Sequence, residues 1–105
     1  MADIFVIEDG VLEECTDKSA TSVEIPDGVE EIDEWAFSDC ASLTSVEIPS
    51  SVTKIGETAF VGCESLLSVE FGGTVAQWKA VRKGSDWHNG VPATSVKCAD
   101  GEAEL

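Results

Sequence analysis

The chain has 105 residues, with 21 acids against six bases and a formal net charge of -15; that length suits one small domain with a core of limited area. A field of that sign repels phosphate backbones and anionic membrane surfaces, which argues against nucleic-acid binding. Apolar runs of a few residues cannot cross a bilayer. The opening MADIFVIEDG has neither the basic n-region nor the apolar h-region of a signal peptide, so the expectation is a cytosolic protein, or a mature fragment of an exported one.

Residues 3 to 15, DIFVIEDGVLEEC, read as a β-hairpin. Ile4 to Ile7 form an apolar run, Asp9-Gly10 is a type I′ turn signal, and Val11 and Leu12 begin the return strand. The hairpin is expected to close the open end of the core formed by the later residues and to turn its acids to solvent as a polar cap. Residues 1 to 34 hold 12 of the acids against one base, Lys18. Either this charge serves solubility, or it attracts a basic partner.

Residues 21 to 43 read TSVEIPDGVEEIDEWAFSDCASL and residues 44 to 66 read TSVEIPSSVTKIGETAFVGCESL, with fourteen of 23 positions identical. A third copy starts at Leu67 and then departs from the pattern. A repeat of this length implies a solenoid whose stacked turns share one core. In each copy a strand, Ser22 to Ile25 or Ser45 to Ile48, alternates inward Val and Ile with outward Ser and Glu. Pro26 and Pro49 end it, having no N–H to donate. Val29-x-x-Ile32 and Val52-x-x-Ile55 are expected to turn a corner. Ala36-Phe37-x-x-Cys40 and Ala59-Phe60-x-x-Cys63 are expected on a short helical or 3₁₀ turn. Leu43 and Leu66 complete the circuit, so that each apolar residue stacks on its own copy.

The third copy keeps Ser68, Val69, Glu70 and Phe71 and replaces the proline with Gly72-Gly73. A helix comes next: Thr74 and Gln77 fit a capping box, Val75, Trp78 and Val81 share a face, and Gly84 is placed to end it. Lys79, Arg82 and Lys83 sit where cations offset the helix dipole. Trp87 is expected to pack on this helix. Thr94 to Cys98 reads as a fourth strand, with Val96 and Cys98 inward, and Asp100-Gly101 as a turn into a short closing tail. The expected organisation is one domain over 1–105: an N-terminal cap at 1–20, two full repeats at 21–66, and a partial repeat with a C-terminal cap at 67–105.

The run IPxxVxxIxxxAFxxCxSLxSVxIP resembles the leucine-rich repeats of the BspA-like family, found on surface proteins of bacteria and some protozoan parasites. The opening FVIEDGVL and the closing GTVAQWKAVRKGSDW…SVKCADG are similar to segments that flank such repeats. The resemblance implies an α/β fold: a short, curved leucine-rich-repeat solenoid with a parallel sheet on its concave face and short helical turns on the convex side. It also implies a secreted or cell-surface protein that adheres to host proteins, extracellular-matrix proteins among them, without catalysis or cofactors. Two departures stand out. Only two repeats are complete, where surface adhesins carry long arrays. The family's Ile-Gly step survives as Ile55-Gly56 but reads Ile32-Asp33 in the first repeat; a positive φ there is one that aspartate tolerates better than most residues.

The candidate binding residues lie on the outward side of the strands. Ser22, Ser45, Ser68 and Ser95 form one ladder, and Glu24, Glu47, Glu70 and Lys97 the next. Like charges stacked at the strand spacing of about 4.8 Å cost some tenths of a kcal/mol per pair. Such a strip can dock lysine or arginine side chains of a protein partner, although repeat duplication alone would also copy an inert polar face. Trp35, opposite Thr58 in the next repeat, is either an exposed interface anchor or a packing partner of the hairpin.

Other chemistry is weakly signalled. Carboxylates suit calcium, but the dense Asp-x-Asp-x-Asp spacing of a dedicated loop is missing. Cys15, Cys40, Cys63 and Cys98 contain no CxxC pair, and with His88 the sole histidine no zinc site is expected. Cys40 and Cys63 should stack on successive coils, Cys15 falls out of their register, and all four are expected as buried or half-buried thiols. Ser85, Asp86 and His88 are too close in sequence to be taken for a triad. The expected product is a monomeric, non-enzymatic binding module, or else a structural end-piece of a larger surface protein.

Overall fold

Each copy of the repeat lays down two strands, and each strand bonds to its own counterpart in the next turn of chain. The computed structural model describes residues 4–105 as a small solenoid of about 4 turns, rich in parallel strand and poor in helix; residue 3, the first of the expected hairpin, lies outside the described residues. One sheet runs in the order β1 (Phe5–Glu8), β2 (Val11–Cys15), β4 (Glu31–Ile32), β6 (Lys54–Ile55), β8 (Arg82–Lys83). The other runs β10 (Gly101–Glu104), β9 (Ser95–Cys98), β7 (Ser68–Phe71), β5 (Ser45–Ile48), β3 (Ser22–Glu24). The first of these sheets departs from expectation: Val29-x-x-Ile32 and Val52-x-x-Ile55 do not merely turn a corner but carry β4 and β6, paired Glu31↔Lys54 and Ile32↔Ile55.

The repeat copies itself in space. Val23, Val46 and Val69 are buried, as are Val29 and Val52, Ile32 and Ile55, Ala36 and Ala59, Cys40 and Cys63, and Leu43 and Leu66. Stacking like on like gives each coil the same hole to fill. Phe37 lies flat on Phe60, ring centroids 4.7 Å apart and planes 2° apart, a contact of about 0.5–1.5 kcal/mol beyond its buried area. Aromatic packing continues in both directions, from Phe5 at 6.1 Å from Phe37 to Trp87 at 6.0 Å from Phe60 and on to Trp78 at 5.7 Å from Trp87.

The expected helical turns at Ala36–Cys40 and Ala59–Cys63 are not helices. Backbone bonds there alternate between a local turn, as in Ser38 N–H to Trp35 O at 3.0 Å, and the next coil, as in Phe37 N–H to Ala59 O at 2.7 Å and Asp39 N–H to Val61 O at 2.8 Å. A donor turned to the neighbouring coil cannot serve an i→i−4 ladder. Two left-handed residues per coil fix this course: Trp35, Thr58 and Asp86 at φ 64°, 52° and 55°, then Asp39, Gly62 and Gly90 at φ 58°, 81° and 86°.

The helix α1 (Val75–Ala80) has its capping box, Thr74 Oγ1 accepting from Gln77 N–H and Gln77 Oε1 from Thr74 N–H. It ends before Gly84. Val81 caps it in an extended conformation and the chain enters β8. Lys83 Nζ donates to the carbonyls of Trp78 at 2.7 Å and Val81 at 3.2 Å, so it does serve the helix C-terminus. Gly84 has another task, shared with Gly56. A Cβ on Gly56 would lie 2.5 Å from Glu34 N, and one on Gly84 2.5 Å from Glu57 N. Among the described residues φ is not positive at Gly56 or at Asp33, so the Ile-Gly step exists for close approach of coils. Asp33 escapes because its neighbour β2 runs on extended to Cys15 instead of bending into a turn.

That shortcut also corrects the position of Cys15. Its N–H donates to Ala36 O at 2.9 Å, which sets its thiol beside Cys40 and so in file with Cys63.

Candidate functional site

The outward face of the second sheet brings together every residue of the expected strip. Ser22 pairs with Ser45 and Ser45 with Ser68; Glu24 pairs with Glu47, Glu47 with Glu70, and Glu70 with Lys97. Ser95 lies two residues before Lys97 on the same side of β9. The alternation that buries Val23, Val46, Val69 and Val96 sends these serines and charges to solvent. Two acids join them that sequence patterning did not single out. Glu102 of β10 pairs with Lys97, and Asp27 lines the same shallow groove of about 370 Å³ as Glu24, Glu47, Glu70 and Lys97. The Asp100-Gly101 turn signal, carried one alternation further, would have placed Glu102 on this face. Asp27 has serine as its counterpart in the second repeat, and nothing in the repeat marks it.

Electrostatics along the file are unfavourable as they stand. The carboxyl of Glu47 is held above its ordinary pKa, first by the charge of Glu24, then by partial desolvation and by Glu70. Lys97 ends the row on one side, and no ion pair closes on these glutamates among the described residues. The strip is therefore a row of carboxylates at strand spacing with spare capacity for cations. Around the corner, on the first sheet, both signs of charge meet: Lys54 Nζ lies 3.9 Å from Glu31 Oε2, and Arg82 follows Lys54 in the ladder.

The remaining candidates disperse. Trp35 is 56 % exposed and left-handed, standing apart from the aromatic contacts that line the core. Ser85, Asp86 and His88 fall in the turn of the third coil, with no side-chain hydrogen bond among them in the described residues. His88 rests against Trp87, ring centroids 4.7 Å apart. No group of three His, Cys, Asp or Glu able to hold a metal ion occurs among the described residues.

All four thiols are buried and free. Cys63 Sγ–H donates to Phe37 O at 3.0 Å. Contact with the Cys40 thiol and burial push the Cys63 thiol up. Burial raises Cys15 and Cys98.

The family follows from residues 3–80, which match the model of the BspA type leucine rich repeat region. The chain belongs to the BspA-type leucine-rich repeat family. Comparison with curated proteins gives no match. Among solved structures, the chain is similar to a leucine rich cell surface protein from Faecalibacterium prausnitzii, with 44% identity and a TM-score of 0.57 over 59% of this chain and 16% of that one. It is also similar to the leucine rich repeat protein of T. pallidum, with 30% identity and a TM-score of 0.57 over 70% of this chain and 42% of that one. The BspA-type repeat thus accounts for the solenoid, and the chain spans less than half the length of either relative.

Proposed function

We propose that this BspA-type chain is a non-enzymatic protein-binding module of a bacterial surface protein, docking a basic segment of a partner on the serine and glutamate face of its second sheet. The observation that carries this is the in-register file Glu24–Glu47–Glu70. Like charges in a ladder cost the fold some tenths of a kcal/mol per pair, a cost that a partner's lysines and arginines relieve on binding. The F. prausnitzii relative is by name a cell surface protein, which supports a secreted or surface location and makes host extracellular-matrix proteins the first partners to try. Both hairpins and α1 act as end caps of a single monomeric domain. Trp35, 56 % exposed, is a second anchor apart from the strip.

The test is binding of the purified chain to a panel of extracellular-matrix proteins at low and high salt. Salt-sensitive binding, weakened about tenfold by Glu47→Lys, is the expected result. Binding with unchanged affinity in Glu47→Lys would remove the strip as the site. A structural segment of a longer surface protein is the second reading, favoured by the small share of each relative that this chain spans; absence of binding at either salt would select it.

A further inference from the structure

The two sheets are finished differently at the two ends of the solenoid. At the N-terminal end, β1 folds antiparallel onto β2 and completes the first sheet, while β3 is the outermost strand of the second. At the other end, β10 folds onto β9 and completes the second sheet. The outer edge of β3 therefore stands open. Ile25 N–H donates to Glu47 O at 3.0 Å and Thr21 O accepts from Thr44 N–H at 2.7 Å, so the odd-numbered residues bond inward to β5. Alternation turns the N–H and C=O of Ser22 and Glu24 outward, where no described backbone meets them. Exposure agrees with this. Pro26 is exposed while its copy Pro49, covered by the preceding coil, is buried.

An open edge is a template for another strand, and charge decides which strand fits. A second copy does not. Its β10 would set Glu102 and Glu104 against Glu24, and its β3 would set Glu24 against Glu24, both like-charge pairings across a ladder. With 12 of the 21 acids in residues 1 to 34, the surroundings of this edge call for positive charge. Building on the docking function proposed above, we infer that the free edge of β3 takes up an extended basic segment of a partner protein as a further strand of the second sheet. Its alternate side chains then lie on the outward face, where lysine or arginine continues the row begun by Glu24, Glu47 and Glu70. Main-chain bonds to Ser22 and Glu24 supply geometry, and the glutamates supply selection.

The experiment uses a synthetic peptide that alternates lysine with threonine, and a copy of it methylated on every second backbone nitrogen. The copy keeps every charge and loses the donors of one edge. Titration into the full chain is expected to show binding of the first peptide and a loss of about tenfold or more for the second. Ser22→Pro, which deletes one outward donor and leaves the bonds to β5, is expected to weaken the first peptide alike; should that variant not fold, the methylated peptide on the unaltered protein decides. Equal binding of both peptides overturns strand addition, and if Glu47→Lys weakens both, the docking face itself still stands. Methylation-sensitive binding indifferent to Glu47→Lys keeps strand addition and removes the docking face. Absence of peptide binding refutes both, and a dimer by light scattering without peptide shows that the edge pairs copies of this chain instead.

Discussion

Replacing Gly56 by alanine puts a methyl carbon 2.5 Å from Glu34 N and 2.9 Å from both Asp33 C and Glu34 Cα. Unstrained carbon contacts lie near ~3.5–4.0 Å, so the two coils must part by roughly 1 Å at that point. All three crowded atoms are backbone, and no side chain can rotate to relieve them. Gly56 N–H meanwhile donates to Ile32 O at 2.7 Å, a bond that such a displacement takes out of range. Overpacking costs about 1–3 kcal/mol and a lost bond about 1 kcal/mol. A domain of this size loses ~4–8 °C per kcal/mol, so a total of about 2–4 kcal/mol should show in thermal unfolding followed by circular dichroism as a fall in Tm of about 8–32 °C. Gly84→Ala should behave alike, since its Cβ would meet Glu57 N at 2.5 Å. Asp33→Ala is the control: it loses the Asp33 Oδ1 bond from Glu34 N–H at 2.9 Å and no more than about 1 kcal/mol. A Gly56→Ala protein that melts with the parent, or an Asp33→Ala protein that falls as far, would refute close approach as the reason for the Ile-Gly step.

Thr58 holds a left-handed φ of 52° with a β-branched side chain, a conformation that costs about 1–2 kcal/mol; Thr58→Asn should therefore raise the urea midpoint, and a lowered midpoint would show that the threonine makes a contact worth more than its strain. Glu47 is raised above its ordinary value of 4.5 mainly by Glu24, so between that value and its folded pKa the native state holds a proton that the unfolded chain releases. Stability from this group is then full below pH 4.5 and falls as pH rises through the folded pKa, and Glu47→Gln should show a smaller drop in Tm from pH 4.5 to 7 than the parent.

Legibility in the sequence tracks length of pattern. The strands β3, β5, β7 and β9 and the register of their serines and glutamates come from alternation copied at a fixed period, and the capping box at Thr74 and the Asp9-Gly10 turn from local chemistry. The strands β4 and β6 have two residues each, too few for any alternation to show; they exist because neighbouring coils bring Ile32 to Ile55 in the core. The turns after them read as helical because Trp35 and Thr58 are poor left-handed residues, though Asp39 and Gly62 at the next such position carry the signal. Cys15 reads as out of register because a hairpin reaches in three residues, Leu12 to Cys15, a column that a coil reaches in eight, Ile32 to Cys40. The charged strip needs only the repeat; the bare edge of β3 depends on which sheet the first hairpin joins, through β2 against β4, and the repeat does not encode that.

The buried thiols give the molecule a use beyond packing. Cys15, Cys40, Cys63 and Cys98 sit on the hairpin, the first coil, the second coil and β9 respectively, so each reports one segment along the axis. A solenoid whose segments hold only their neighbours opens from its ends inward. An alkylating reagent reaches a sulfur only when its own segment has parted from the next, and the order in which the four are modified records the order of parting. Fraying from the end where β3 lies bare would mark Cys15 and Cys40 ahead of Cys63, and a strand bound along that edge would slow those two alone.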